Sequence, residues 1–438
     1  MSEVQIGLWI VVATLLVLFS GLPIAWGLII VAVGFLVAFK GVDTLANVPI
    51  LMMDELSSFA LLTIPLFILL GAAIGSSAAG KDIYESLHRW LDRLPGGLVI
   101  SNILACGLFS AICGSSPATA AAIGKAGVPE MLRRGVSPAL ATGSVCAGGT
   151  LGILIPPSVT MILYGIATET SIGRLFLAGV VPGILLTLLF ALYAWLATLL
   201  SRRGESAGTE RRYSGAEKLE GLWRVAPFIA IIAAIVYVLY GGYATPSEVA
   251  AISGVLALVL VIAIYRAWSI EAQWRIFRET VRESSMILMI IGAAAVFSYM
   301  MSLLYVTQTV AQAVVDLGLN RWVLMLAINL FLLVAGCFLP PVAIILMVMP
   351  ILTPVLEANN FDLIWFAVIL TINMEVGLIT PPVGLNLYVL RGVAPQVPLI
   401  TILRGSMPFV FIMFATMVLL AFFPQITLWL PNSMMGAG

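Results

Sequence analysis

The sequence predicts an all-α integral membrane protein, arranged as two inverted copies of one unit with about ten spanning helices and two re-entrant hairpins. Three observations carry this prediction. Only 10% of the 438 residues are charged while 61% are hydrophobic, against roughly 25% charged in an ordinary globular protein. Uncharged apolar runs long enough to cross a bilayer, about 17 residues or more, recur from end to end. Strings marked by Gly and Pro in the first half return, in the same order, roughly half a chain later.

The remaining composition removes other classes. Lys and Arg number 21 and Asp and Glu 21, so no net field points to nucleic acid. A lone histidine, His88, leaves no multi-histidine metal site and little histidine-based catalysis. Cys106, Cys113, Cys146 and Cys337 sit singly in apolar stretches without CxxC spacing and read as small buried hydrophobes. The first apolar run follows Glu3 without the basic flank or cleavage site of a signal peptide, so it is expected to stay as a membrane helix.

In order, spans are expected at 4–20, 21–39 and 59–79, followed by a polar connector at 80–97. The next run, 98–124, carries Cys113-Gly-Ser-Ser-Pro-Ala-Thr119 at its middle and is expected to fold back as a hairpin. Spans at 135–168 and 175–201 close a first repeat, residues 1–201. A polar linker at 202–224 leads to a second repeat, 225–438, with spans at 225–247, 249–265 and 285–315 and a connector at 306–321. The run 322–356 holds Pro340-Pro341, which a straight helix cannot accommodate, and is expected to be the second hairpin. Spans at 363–390, interrupted by Glu375, and at 405–430 complete the chain.

Basic residues accumulate on the cytoplasmic side of membrane proteins. With both hairpins re-entrant and the N-terminus outside, only Lys40, Arg174 and Arg321 face outward. The other 18 of the 21 basic residues then face the cytoplasm. That places both termini outside and 202–224 inside. The repeat is carried by Gly152-x-x-x-Pro156-Pro157 against Gly377-x-x-x-Pro381-Pro382, and by Gly179-x-x-Pro182 against Gly405-x-x-Pro408. The hairpin prolines and the Gly71 and Gly292 runs keep the same order. Each unit crosses an odd number of times, so the second copy is inverted. Paired Gly/Pro-interrupted segments in inverted repeats are the signature of a secondary transporter with its site at the repeat interface.

Backbone groups freed at Gly148–Gly152, Pro156-Pro157 and Gly377–Pro382 need partners in a medium without water. Freed carbonyls and hydroxyls suit a small hard cation such as Na⁺. Ser115, Ser116 and Thr119 lie at the first hairpin tip, where half-helix N-termini present N–H groups to an anion. The alternative is that such breaks serve only tight packing or kinks. Glu375 is open to three roles: a proton-coupling group, a cation ligand, or an acceptor for unpaired N–H groups of the neighbouring break. Ser115, Thr119, Ser158, Thr380 and Asn386 are the side chains expected to meet substrate.

Other features read as incidental. Gly75-Ser-Ser-Ala-Ala-Gly80-Lys81 resembles part of a phosphate loop, but Asp82 stands where Ser or Thr must hold Mg²⁺. His88 reads as a surface residue of the amphipathic stretch 81–93. Arg275, Arg278 and Arg282 suggest a helix lying at the lipid headgroups. No HExxH or GxGD motif is present and no catalytic residues are assigned, so the chain is not read as an enzyme. A channel is the rival from another class.

Four strings, FALLTIPLFILLG (59–71), GTLGILIPPS (149–158), YGGYATPSEVAA (240–251) and MEVGLITPPVGLNLYV (374–389), resemble the large membrane subunit of tripartite ATP-independent periplasmic (TRAP) transporters, DctM type. The resemblance runs through essentially the whole chain. It implies a Na⁺-driven importer of organic acids in a bacterial inner membrane, with a transport domain that moves like an elevator against a scaffold. It implies two partners, a periplasmic substrate-binding protein and a small four-helix membrane subunit. Nothing in this chain resembles that subunit. By motif, one Na⁺ site falls on Ser115, Ser116, Gly149, Thr150 and Gly152, and the other on Gly336, Gly377 and Thr380. The second hairpin tip, Phe338-Leu339-Pro340, has no hydroxyl to offer. A self-sufficient ion-coupled carboxylate transporter is the alternative within this class.

Overall fold

A computed structural model describes residues 2–200 and 213–436. Residues 202–212 of the expected linker therefore lie outside the described residues. Every regular element among those described is helical. Helix is what a lipid-facing chain of this composition must adopt, because each backbone N–H and C=O then bonds within its own segment.

The first half runs through α1 (Glu3–Phe19), α2 (Ile24–Lys40), α3 (Asn47–Leu56) and α4 (Thr63–Gly75), then α5 (Ala79–Leu91), the polar connector. A helix pair follows, α6 (Gly97–Cys113) and α7 (Ser116–Arg133). After it come a broken helix, α8 (Pro138–Gly149) with α9 (Val159–Ala167), and the long α10 (Ile172–Leu200). The second half opens with α11 (Gly215–Tyr240), α12 (Pro246–Tyr265) and α13 (Ile270–Leu303). It then repeats the order: connector α14 (Val306–Asp316), pair α15 (Arg321–Gly336) and α16 (Pro341–Ala358), broken helix α17 (Leu363–Leu378) with α18 (Leu385–Val393). It closes with α19 (Leu399–Phe422) and α20 (Gln425–Met435). The two breaks match in detail, since Pro156-Pro157 and Pro381-Pro382 are both cis.

Helix starts are written locally. Ser214 with Glu217 and Thr245 with Glu248 form capping boxes for α11 and α12, and the Asp362 side chain accepts from two N–H groups at the start of α17. By length and composition α10, α11, α12, α13, α16 and α19 can each cross a membrane. The chain from 42 to 75, bent by 59° where α3 meets the segment leading into α4, makes a seventh if taken as one span. Five shorter apolar helices, α1, α2, α6, α15 and α17, accompany them.

Four expectations change. The span expected at 285–315 is part of a 34-residue helix that already begins at Ile270. Arg275, Arg278 and Arg282 therefore ride on the first turns of α13 instead of forming a separate surface helix. That helix ends at Leu303 with Leu304 as its C-cap, and Tyr305, at φ +59°, turns the chain into α14. The last span stops at Phe422, and α20 follows as a distinct helix. His88 is not a surface residue: it is 7% exposed, because α6, α7 and α11 pack against α5.

The halves interlock through small residues. A Cβ placed on Gly143 of α8 would lie 2.2 Å from the carbonyl carbon of Gly405 on α19, so the two backbones touch. Such close approach is the main source of helix affinity where the surroundings are as apolar as the side chains. It also holds the first broken helix against the second half.

Candidate functional site

The first helix pair turns at Gly114, which adopts φ +63°, a left-handed conformation open to glycine. Ser115 is then extended, and α7 restarts at Ser116-Pro117, where the missing proline N–H costs nothing. This local sequence aims the N-terminus of α7, with its partial positive charge, into the protein. Ser116 and Thr119, three residues apart on one face, are both fully buried.

The second half reaches this tip. The Asn386 amide on α18 donates to the Ser116 hydroxyl at 2.7 Å and to the Cys146 carbonyl of α8 at 3.3 Å. Glu375 of α17, 1% exposed, lies within electrostatic reach of the same hydroxyl. Neither of its oxygens makes a hydrogen bond to a described group, so the carboxylate caps no N–H of the nearby break. The Thr119 hydroxyl and the Asn386 carbonyl oxygen are likewise buried without a partner. Buried oxygens without a hydrogen-bond partner are the kind of group a hard cation requires.

Of the first expected cation set, Ser115 and Ser116 form this tip and Gly149 lies against it. A Cβ on Gly149 would stand 2.9 Å from the Ser116 carbonyl, so the first break backs directly onto it. Thr150 donates its proton to Ala147 at 2.6 Å and is fully buried. Gly152 faces Ser110 of α6 instead of the tip itself. Ser115 is half-buried. Ser158 has a local employment: it accepts the Met161 N–H as N-cap of α9.

The second set also converges. A Cβ on Gly377 would lie 2.5 Å from the Gly336 carbonyl, and the Val383 N–H donates to the Cys337 carbonyl at 3.2 Å. The Thr380 hydroxyl donates to Val376 at 2.8 Å and approaches the Cys337 sulfur at 3.4 Å. Its proton is thus spent on the helix and its oxygen lone pairs remain to be shared.

Sequence reasoning missed two features. Asn373 of α17 donates to the Asn329 carbonyl and side chain on α15, both at 2.9 Å; a polar residue two places before Glu375 in an apolar span was the available signal. A cavity of about 1110 Å³ opens among α3, the end of α9, the α11–α12 turn, α13 and α16. Asp54, Glu55 and Glu169 line it, and among the described residues no Lys or Arg does.

The sequence profile of the family described as tripartite ATP-independent periplasmic transporter, DctM component, matches residues 11–426. The C4-dicarboxylate TRAP transporter large permease protein DctM of Pseudomonas aeruginosa is 35% identical over 89% of this chain and 90% of its own. The sialic acid TRAP transporter large permease protein SiaM of Vibrio cholerae is 31% identical, over 96% and 97% of the two chains. Among solved structures, the Alcanivorax borkumensis YdaH transporter superposes with a TM-score of 0.63 at 16% identity, covering 91% of this chain and 90% of that one. That likeness is one of fold.

Proposed function

The chain belongs to the family of DctM components of tripartite ATP-independent periplasmic transporters, and on that premise we propose that it is the large membrane subunit of a Na⁺-coupled importer of organic acids. As a member of a permease family it is a transporter and not an enzyme. In this reading a periplasmic binding protein delivers a carboxylate substrate, and a separate small four-helix membrane subunit stands beside the scaffold. Residues 1–201 and 225–438 are the two inverted repeats, and the helix pairs within 98–124 and 322–356 are re-entrant. Both termini face the periplasm and the basic segment around 81–93 faces the cytoplasm of a bacterial inner membrane. The helix pairs and broken helices move together as an elevator.

The observation that carries the proposal is the meeting of Asn386, Glu375 and Ser116 at the first hairpin tip, where one half of the chain completes the other. Na⁺ supplies charge compensation for a carboxylate held beside it. Ser116, Gly149 and Thr150 on one side, and Gly336, Gly377 and Thr380 on the other, are the residues to hold it. The acidic cavity supports the need for a receptor: with three carboxylates and, among the described residues, no Lys or Arg in its lining, it has little to draw an organic anion from dilute solution.

Uptake of labelled C4-dicarboxylates and sialic acid by cells carrying the three components, in Na⁺ and in choline medium, tests this reading. Uptake confined to Na⁺ medium and reduced by Ser116→Ala supports it. Equal uptake in both media rejects the coupling, and a single-channel conductance replaces the transporter by a pore.

A further inference from the structure

Two asparagines face each other inside apolar helices of the second half, where polar side chains are costly. Asn373 of α17 is 1% exposed, and its Nδ2 donates to both the backbone carbonyl and the Oδ1 of Asn329 on α15, each at 2.9 Å. Asn329 is half-buried and turns its own Nδ2 back to the Met325 carbonyl at 2.9 Å, which leaves its Oδ1 facing α17. The Oδ1 of Asn373 accepts from no described group. Asn373 therefore acts through its two N–H bonds, and both are directed at α15. Small apolar residues would pack two such helices without desolvating any amide. The first half does so: Gly148 stands four residues before Gly152, as Asn373 stands before Gly377, and a Cβ there would lie 2.9 Å from Cys106 on α6.

The difference between the halves follows the two tips. The first tip carries the Ser116 hydroxyl and is held by Asn386 from the other half. The second tip, Phe338-Leu339-Pro340, has no hydroxyl, so a cation beside it meets backbone carbonyls. A carbonyl at the end of a helix is placed only as well as the helix that carries it. Gly336 ends α15 two turns after Asn329, and Gly377 follows Asn373 by one turn on the same face of α17. There the backbones touch, since a Cβ on Gly377 would lie 2.5 Å from the Gly336 carbonyl. Contact between two glycines resists sliding weakly, whereas a hydrogen bond is directional. The Asn373 bonds on one side of this contact, and the Val383 N–H to the Cys337 carbonyl on the other, fix the register at which α15 meets α17.

We infer that Asn373, with Asn329 as its acceptor, is a positioning residue of the second cation set: its two hydrogen bonds hold α15 against α17 so that Gly336, Gly377 and Thr380 present their oxygens together. This rests on the reading of those three as Na⁺ residues and deepens it. Neither asparagine is itself a ligand. Residues that orient metal ligands from behind typically change affinity about 10- to 100-fold when removed.

The full-length protein in maltoside detergent is titrated with NaCl, choline chloride keeping ionic strength constant, while melting temperature is followed. Saturable stabilisation by Na⁺ is expected. Asn373→Leu, which removes both bonds at similar volume, should raise the Na⁺ midpoint about tenfold or more. Asn329→Ala keeps the backbone acceptor, so it should raise the midpoint less, and it alters a half-buried residue that folding tolerates. A merely structural role would lower the melting temperature without Na⁺ and leave the midpoint in place. Thr371→Val is the control, because the Thr371 hydroxyl bonds only Ala367 of its own helix; its midpoint should stay that of the wild type. Asn373→Leu combined with Thr380→Ala should raise the midpoint by less than the product of the two separate effects. Unchanged midpoints in both asparagine variants, an equal rise in Thr371→Val, or independence from Thr380→Ala overturns the positioning role while the Na⁺ reading stands. A wild type that Na⁺ does not stabilise overturns both.

Discussion

The amide of Asn386 donates a 2.7 Å hydrogen bond to the hydroxyl of Ser116, joining α18 of the second half to the hairpin tip of the first. Both residues are fully buried. Removing either leaves the other short of a partner in an apolar setting, a loss of about 1–3 kcal/mol. Asn386→Ala and Ser116→Ala are therefore expected to destabilise by similar amounts, and the double variant by less than their sum. A double-mutant cycle on unfolding in mixed micelles measures the coupling. Strict additivity would show that the bond carries no energy.

Thr380→Ala removes one oxygen from the second proposed cation shell while its hydrogen bond to Val376 is local to the helix. A loss of about 1–3 kcal/mol corresponds to a Na⁺ requirement raised roughly 5- to 150-fold. Thr380→Ser should restore it. Half-saturating Na⁺ for uptake is the quantity to measure; an unchanged value makes Thr380 a packing residue.

Gly143→Ala places a methyl group 2.2 Å from the Gly405 backbone. Backbone cannot yield as a flexible side chain can, so α8 and α19 must separate, at a cost of about 1–3 kcal/mol. Melting temperature should fall. Gly135→Ala is a poor control, because Gly135 adopts φ +83°; Gly392→Ala, with open space around it, should be close to neutral.

His88 lies on the polar connector, outside the spanning helices, and burial pushes its pKa down from 6.5 to about 4, with the Arg134 charge acting in the same direction. The folded protein thus holds His88 neutral where the unfolded chain would already be protonated. Its contribution is present above pH 6.5 and is lost as pH falls toward 4, by up to about 3 kcal/mol. His88→Phe should flatten the fall in melting temperature between pH 7 and 5. An identical fall in the variant would assign the acid sensitivity to other groups.

Much of this architecture is legible in the sequence, for a physical reason. Hydropathy reports spans directly because lipid permits little else, and Gly114, Pro156-Pro157 and Pro381-Pro382 mark backbone that no straight helix tolerates. The tips and breaks therefore announce themselves. What they meet does not. Asn386 and Ser116 are brought together by tertiary packing, which leaves no local trace. His88 reads in the sequence as the wet side of an amphipathic helix, since periodicity tells which residues share a face and not which face is covered. Arg275, Arg278 and Arg282 show the same ambiguity: their spacing is helical whether the helix lies on a membrane or continues into it.

Reconstitution tests the central claim most directly. Proteoliposomes containing this chain and its small membrane partner receive an inward Na⁺ gradient, labelled organic acid, and the periplasmic binding protein either present or omitted. The account predicts uptake that needs all three components and collapses when Na⁺ is equal on both sides. High-affinity uptake by this chain alone, or uptake indifferent to the gradient, would contradict it.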